Sequence, residues 1–422
     1  MIRELPPIGL SDSWGSSSIR ERRPMTAHAL PLAQPPFRGA QLPAARTVFG
    51  RASYILSSQR VQAALTKTGG HLGPVSFDLG DRAIQPYAIA PWWNERQPPE
   101  RPVMQRVLRG DFFCLPFGGC HGGDNHMPGV PTHGDTAARR WRFRDFDQSE
   151  ERTWIELEMR VRYPRAHVLK RIELRVDHTA IYQSHVIRGV SGPICFGHHG
   201  MLQFSDGCEA AYLSSSPFPR GQVLPDQGDD TASRERNFLR PGSCFTRLEA
   251  VEDIHGGLTD ISRFPARRGY DDLVMLAADP SLPFAWDAVS NPTLGYVWFS
   301  LRDPAVLAST ILWLSNGGID YPPWNGRHMN VLGLENVTSY FDYGLHASSG
   351  PNPFSDLGFK TSVTLSPDQS LAVRAIFGVA AVPRTFSKVD SIVPVAGGIE
   401  LVDSLGARVR TPLDLEFIAG EG

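Results

Sequence analysis

The sequence predicts an antiparallel all-β chain, a large sandwich or a barrel, and three observations carry that prediction. Apolar and charged residues alternate with period two through several stretches, 40 glycines and 35 prolines punctuate them, and no long stretch keeps the 3.6-residue spacing of a helix. At 422 residues the chain exceeds a typical domain, yet large β architectures reach this size as one body.

Taken in order, residues 1–46 come first and differ from the rest. Ser16-Ser17-Ser18, the run Arg20-Glu21-Arg22-Arg23-Pro24 and several prolines show no sustained periodicity, which predicts a flexible leader, with Met25 a second possible start. Residues 47–422 form the expected single domain. In Ile155-Glu156-Leu157-Glu158-Met159-Arg160-Val161-Arg162 every second residue is apolar, so one strand face is buried and the other wet. Val168, Lys170, Ile172, Leu174 and Val176 line one face of the next strand, and Asp177-His178 makes a turn before Ile181-Tyr182-Gln183. Ser214 to Pro241, rich in Ser, Pro, Gly and Asp, reads as an excursion loop within the domain, because strands resume after it without a change of composition. Those later strands are Tyr296 to Phe299, Thr310 to Leu314, Thr361 to Leu365 and Leu371 to Phe377.

Charge and cysteine usage exclude several classes. Forty-two Lys and Arg stand against 44 Asp and Glu, a net charge of −2, which leaves no electrostatic footprint for nucleic acid or an acidic membrane. The five cysteines are sparse and lack a CxxC pair, so neither a disulfide framework nor a zinc ribbon is expected. With no transmembrane-length apolar run and no apolar core in the first residues, the expectation is a cytoplasmic protein, monomeric or homodimeric, that acts on a small molecule.

Polar residues in unexpected places give the candidate site. Glu335 sits in Val331-Leu332-Gly333-Leu334-Glu335-Asn336-Val337, which otherwise reads as a buried strand, and an unpaired carboxylate there is costly unless it is paired, exposed at a strand end or kept for chemistry. His133-Gly134 follows Pro131-Thr132, and the glycine allows close backbone approach. In Gly197-His198-His199-Gly200 the two histidines must point to opposite faces of a strand, so one of them faces inward. Gly269-Tyr270-Asp271-Asp272 places acids at the mouth of the apolar strand Leu273-Val274-Met275-Leu276. Each has an ordinary explanation singly: a turn histidine, a satisfied core histidine, a solvated strand end. A rival cluster, Cys114, Cys120, His121, Asp124, His126 and His133, has metal-ligating residue types at spacings that fit no familiar zinc module.

Together the order Pro-x-His-Gly, a Gly-x-His strand, Pro241-Gly242 before Gly-Tyr-Asp, and a Gly-Leu-Glu strand resembles the aldose 1-epimerase (galactose mutarotase) superfamily, with this chain an outlying member. Gly69-Gly70-His71-Leu72-Gly73-Pro74-Val75-Ser76-Phe77 resembles the family's early Gly-Gly strand, and the likeness covers about residues 50 to 385. The resemblance implies a large antiparallel β-supersandwich with few short helices and a sugar cleft on one sheet. It implies Glu335 as the general base at the anomeric hydroxyl and His199 as the general acid at the ring oxygen, with His198 the alternative. It also implies His133 and Asp271 as residues that hold the sugar, and neither a metal nor an organic cofactor. Asp135-Thr136-Ala137-Ala138 delays the arginines expected after the first motif, so Arg140 becomes the candidate there, while Trp324 and Arg327, with Trp313 and His328, are placed to line the cleft. A base that must ionise should lie at an open cleft rather than in the core. Two other functions stay open: a carbohydrate-binding or regulatory protein without turnover, and a polysaccharide lyase-type enzyme.

Overall fold

The computed structural model describes residues 42–119, 129–205, 211–225 and 236–420. Every strand ladder among them is antiparallel, and two large sheets dominate. The nine-stranded sheet runs, in spatial order, through Arg263–Phe264, Ala211–Ser215, Ala285–Asn291, Tyr296–Arg302, Ser370–Ala381, Ala180–Arg188, Arg165–Arg175, Arg152–Arg162 and Arg142–Gln148. The eight-stranded sheet contains Cys244–Phe245, Arg220–Val223, Asp271–Ala277, Ser309–Ser315, Val331–Thr338, Phe196–His198 and Phe113–Cys114, with Gly200–Gln203 also paired to Val331–Thr338. A five-stranded sheet, Ala45–Val48 to Ala83–Ile84, precedes them, and its first strand takes in Ala45 and Arg46, the last two residues of the expected leader. The remainder of the leader, residues 1–41, lies outside the described residues.

Period two builds the core. Ile155, Leu157 and Val161 from one sheet and Leu312, Leu332 and Leu334 from the other bury their side chains in one shared interior, while Glu156 and Arg162 stay on the outer surface. Lys170, on the same face as Val168 and Ile172, is drawn in with them. Its ammonium donates to the Gly70 carbonyl at 2.8 Å and lies 5.5 Å from the Trp141 ring, and burial pushes its pKa down to about 8. A three-stranded sheet, Val389–Val395, Gly398–Asp403 and Arg408–Pro412, packs Val389, Ile392, Ile399 and Leu401 with Trp286, Phe299 and Ile376 of the nine-stranded sheet.

One expectation is corrected. Ser214 to Pro241 is not a plain excursion: it contains the end of Ala211–Ser215 and all of Arg220–Val223, which enters the eight-stranded sheet beside Asp271–Ala277. Arg220-Gly221-Gln222-Val223 hides its strand character because Gly221 lies under the Phe245 ring, where an added Cβ would come within 2.4 Å.

Candidate functional site

The outer face of the eight-stranded sheet, turned away from the shared core, carries the candidate site. In Val331–Thr338, Leu332 and Leu334 enter the core, so Glu335 falls on the opposite face with Val331 and Val337. Ile311 stands across from Glu335, and Trp313 stands across from Gly333. A Cβ at Gly333 would lie 2.8 Å from Glu335 Oε1 and 2.7 Å from Trp313 Cβ, so the carboxyl uses the space a side chain would need. Gly333→Ala is therefore expected to destabilise the protein by about 1–3 kcal/mol through overpacking, read as a lowered urea midpoint with an unchanged slope.

His199 bridges two short strands, Phe196–His198 and Gly200–Gln203, which both pair with Val331–Thr338. Its backbone N–H donates to the Phe112 carbonyl at 2.9 Å, and its ring stacks on Phe112 at 4.6 Å. Phe112 stacks also on His71, at 4.0 Å. This seating brings His199 Nε2 within 3.4 Å of Glu335 Oε1. The alternation of the two histidines is resolved by packing: His198 lies in the interior against Phe377 and His185, its Nδ1 3.1 Å from Asp111 Oδ2.

His133 joins the pair from a third direction. Its ring stands edge-on to His199 at 4.9 Å, and its Nδ1 accepts the Gly118 N–H at 3.2 Å, so a neutral ring carries its proton on Nε2. The backbone there is left-handed twice in succession, with φ of 60° at His133 and 77° at Gly134. A Cβ on Gly134 would lie 1.9 Å from the Leu115 carbonyl oxygen, so Gly134→Ala is expected to cost more than about 3 kcal/mol, checked by denaturant unfolding.

The remaining candidates divide. Asp271 opens the strand Asp271–Ala277, and its carboxylate accepts from the Trp313 indole at 3.1 Å and from the Gly318 and Ile319 N–H groups. Trp313 is edge-on to His199 at 6.1 Å and stacked on His328 at 4.8 Å, so these bonds of Asp271 reach the pair through the indole. Trp324 belongs to the aromatic wall next along, packed edge-on to Trp92, which leans on His328. Arg327 points elsewhere, gripping Glu95 with both terminal nitrogens and donating to the Pro323 carbonyl. Arg140 is exposed, its backbone held in a bridge to Thr68, and the structure does not bring it to the pair. Cys120, His121, Asp124 and His126 of the rival metal cluster lie outside the described residues, and among those described no group of three or more His, Cys, Asp or Glu is arranged to hold a metal.

Three contributors escape sequence reasoning: His71, Phe112 and Asp342. Asp342 is buried, and its carbonyl accepts the Gly119 N–H at 2.7 Å. The signal that could have found it is the same as for Glu335, an acid inside an apolar run, here Tyr340-Phe341-Asp342-Tyr343.

Burial disfavours the charged form of both members of the pair. Burial, and then the Asp342 charge, push Glu335 well above the ordinary carboxyl range. Burial, helped by His133 and His71, holds His199 well below the ordinary imidazole range. Glu335 is only 3% exposed, which corrects the expectation of an open cleft: it lies off the sandwich core, yet the residues around Phe112, Phe117 and Phe341 cover this face.

The architecture is that of the all-β galactose mutarotase-like class. A "putative mutarotase" from Salmonella typhimurium superimposes with a TM-score of 0.52 at 12% identity, over 80% of this chain and 93% of that one. A galactose mutarotase-like protein from Clostridium acetobutylicum gives 0.51 at 11% identity, covering 80% and 98%. A "putative aldose 1-epimerase" from Escherichia coli K12 gives 0.50 at 14% identity, covering 78% and 99%. At these identities the likeness is one of fold. No protein-family model matches the chain, and no curated protein matches it in sequence. No helix among the described residues is long and apolar enough to cross a membrane.

Proposed function

We propose that this protein interconverts the anomers of an aldose or sugar derivative by acid/base ring opening and reclosure, with Glu335 and His199 as the reacting pair. The observation that carries this reading is the 3.4 Å approach of Glu335 Oε1 to His199 Nε2 on the sheet face away from the core. Mutarotation requires proton removal from one oxygen of the anomeric carbon and proton delivery to the other. Both oxygens are bonded to C1, so the two groups that serve them must be near neighbours, as these are.

Proton counting supports the pairing. A protonated Glu335 beside a neutral His199 holds the same number of protons as a carboxylate beside an imidazolium. One transfer between Oε1 and Nε2 therefore produces the base and the acid that the reaction uses. The contact is long for a hydrogen bond, which leaves both groups free to take sugar oxygens as partners instead. Glu335 then takes the anomeric hydroxyl proton while His199 protonates the ring oxygen; rotation about C1–C2 and reclosure, with both transfers reversed, give the other anomer. His133 supplies a hydrogen-bond donor from Nε2, and Trp313, fixed by Asp271, supplies an aromatic face for the sugar. The covering segments must part to admit substrate. Their return excludes water and strengthens the electrostatics of the pair.

The test is anomer exchange over a panel of aldoses, sugar phosphates and uronic acids, followed by polarimetry or NMR saturation transfer. Acceleration with at least one sugar is expected. Binding without acceleration of any of them would mark a carbohydrate-binding protein that does not turn over.

A further inference from the structure

We propose that a second site, an arginine-lined groove on the outer surface of the nine-stranded sheet, binds a linear oligosaccharide bearing carboxylate or sulfate groups. The choice of a saccharide rests on the carbohydrate reading above; the anion chemistry rests on the groove alone.

The groove has a volume of about 990 Å³ and is lined by Arg160, Arg162, Arg165, Arg188 and His167, with Asp368 as its single acid. Strand register sets the cations side by side. Arg162 stands directly across from Arg165 in one row, and Arg160, His167 and Arg188 are successive cross-strand neighbours in the next. Like charges facing each other across a sheet are destabilising. Elsewhere on the same surface the charges are balanced: Arg142 pairs with Glu158, Arg171 with Glu156 and Glu173, and Arg175 with Glu173 and Asp414. At the groove the balance is only partial: Arg162 pairs with Asp135 and His167 Nε2 lies 3.1 Å from Glu158 Oε2, but the other three arginines meet no acid among the described residues. Arg160 and Arg165 are exposed and make no ion pair among the described residues, Arg188 donates to His167, and the Asp368 carboxylate accepts from Ser366. Retaining unopposed guanidiniums at a stability cost is the pattern expected of a surface that meets an anion.

The spacing favours a chain of anions over one phosphate. Cross-strand neighbours stand about 4.8 Å apart and same-face positions along a strand about 6.8 Å apart, so the cations form an open lattice rather than a convergent pocket. His167 adds to it. Its Nδ1 accepts from Arg188 and its Nε2 faces Glu158, and partial burial, then Arg188 and Arg160, hold its pKa below the ordinary value, so the ring fixes the Arg188 guanidinium in the row. A contact at the edge of the groove reaches the segment that carries His133. Arg162 grips Asp135 through its backbone N–H, Nε and a terminal nitrogen, and Asp135 lies two residues after His133; Tyr163 packs on the aromatic cluster of the site face.

The test titrates the full-length protein with fluorescein-labelled oligogalacturonate, a heparin-derived oligosaccharide and a neutral maltooligosaccharide of equal length, with inorganic polyphosphate as the non-saccharide anion. At least one acidic oligosaccharide is expected to bind at least about tenfold tighter than the neutral one, and to weaken as NaCl is raised from about 0.05 to 0.5 M. Carboxylate and sulfate chemistries are separated by which of the two binds. Combined Arg160→Ala, Arg165→Ala and Arg188→Ala should abolish the preference while leaving the melting temperature equal or higher, because opposed charges are relieved. Glu335→Gln should leave groove binding unchanged, so loss of anomer exchange and loss of groove binding are separately readable. No preference over the neutral oligosaccharide, or a preference that survives the triple substitution, would overturn the proposal. Polyphosphate binding as tightly as the acidic saccharides would overturn the choice of ligand.

Discussion

Glu335→Gln is expected to slow anomer exchange by about 10²- to 10⁴-fold while leaving sugar affinity within about tenfold, the signature of a base that acts in the transition state. Glutamine preserves the shape beside Gly333 and Trp313, so the change removes proton transfer and little else. The same substitution has a second readout. The folded Glu335 carboxyl titrates above its unfolded value, so its contribution to stability is complete below the unfolded pKa and is lost as pH rises through the folded one. The substituted amide does not titrate and escapes that loss, so the variant should be more stable than the parent at neutral and alkaline pH. Loss of turnover with gain of stability is what removal of a buried reacting group produces. Full activity in Glu335→Gln, by polarimetry or saturation transfer, would sink the assignment. A variant that is inactive and also unfolded would point to a packing role, which the stability measurement detects.

The architecture was legible wherever one strand face meets solvent. Ile155 to Arg162 alternates because Ile155, Leu157 and Val161 reach the core while Glu156 and Arg162 face water, and the strand Arg152–Arg162 follows. Strands covered on both faces write no such pattern. Ala285–Asn291 is buried at every position and contains Asp287, which Arg302 neutralises at 2.6 Å. That acid is explained by partners on other strands, Arg302 together with Ser300, Thr310 and Asn336.

The candidate site divides along the same line. Glu335 stood out because a carboxylate in an apolar strand requires a reason, and period two stated that His198 and His199 part company. It could not say which of them faces the core, since that depends on Phe377 and His185 in the opposite sheet. Arg327 and Arg140 stand near the motifs in sequence, yet Glu95 holds the first and a surface bridge to Thr68 holds the second. Phe112 and His71 were invisible, because only the pairing around Leu72 and Asp111 brings these segments together. The arginine groove depends on register in the same way: Arg162 and Arg165 meet within one hairpin, but Arg188 joins them through a further strand pairing.

The histidines that surround the pair set the second large effect, a steep loss of stability in mild acid. His71 and His328 are wholly buried, and burial lowers each from the ordinary 6.5 to about 3. Below 6.5 the unfolded chain takes up protons that these folded rings refuse, so stability is complete above 6.5 and is lost as pH falls toward 3. Between about pH 7 and pH 5 each ring costs about 2 kcal/mol, together about 4 kcal/mol. Asp272 acts oppositely, since burial raises it to about 6 and the folded state gains its proton first, offsetting about 1.4 kcal/mol by about pH 5. The net expectation is a loss of about 3 kcal/mol between about pH 7 and pH 5, a large share of an ordinary domain's stability. His199 and His185, both depressed, add to the loss, and Glu335 subtracts from it. Urea unfolding at the two pH values measures the sum. His71→Gln and His328→Gln should each flatten the slope, because a non-titrating amide leaves the unfolded state no proton to gain. A pH slope left unchanged by both His71→Gln and His328→Gln would show that these rings do not set the loss and would overturn the prediction.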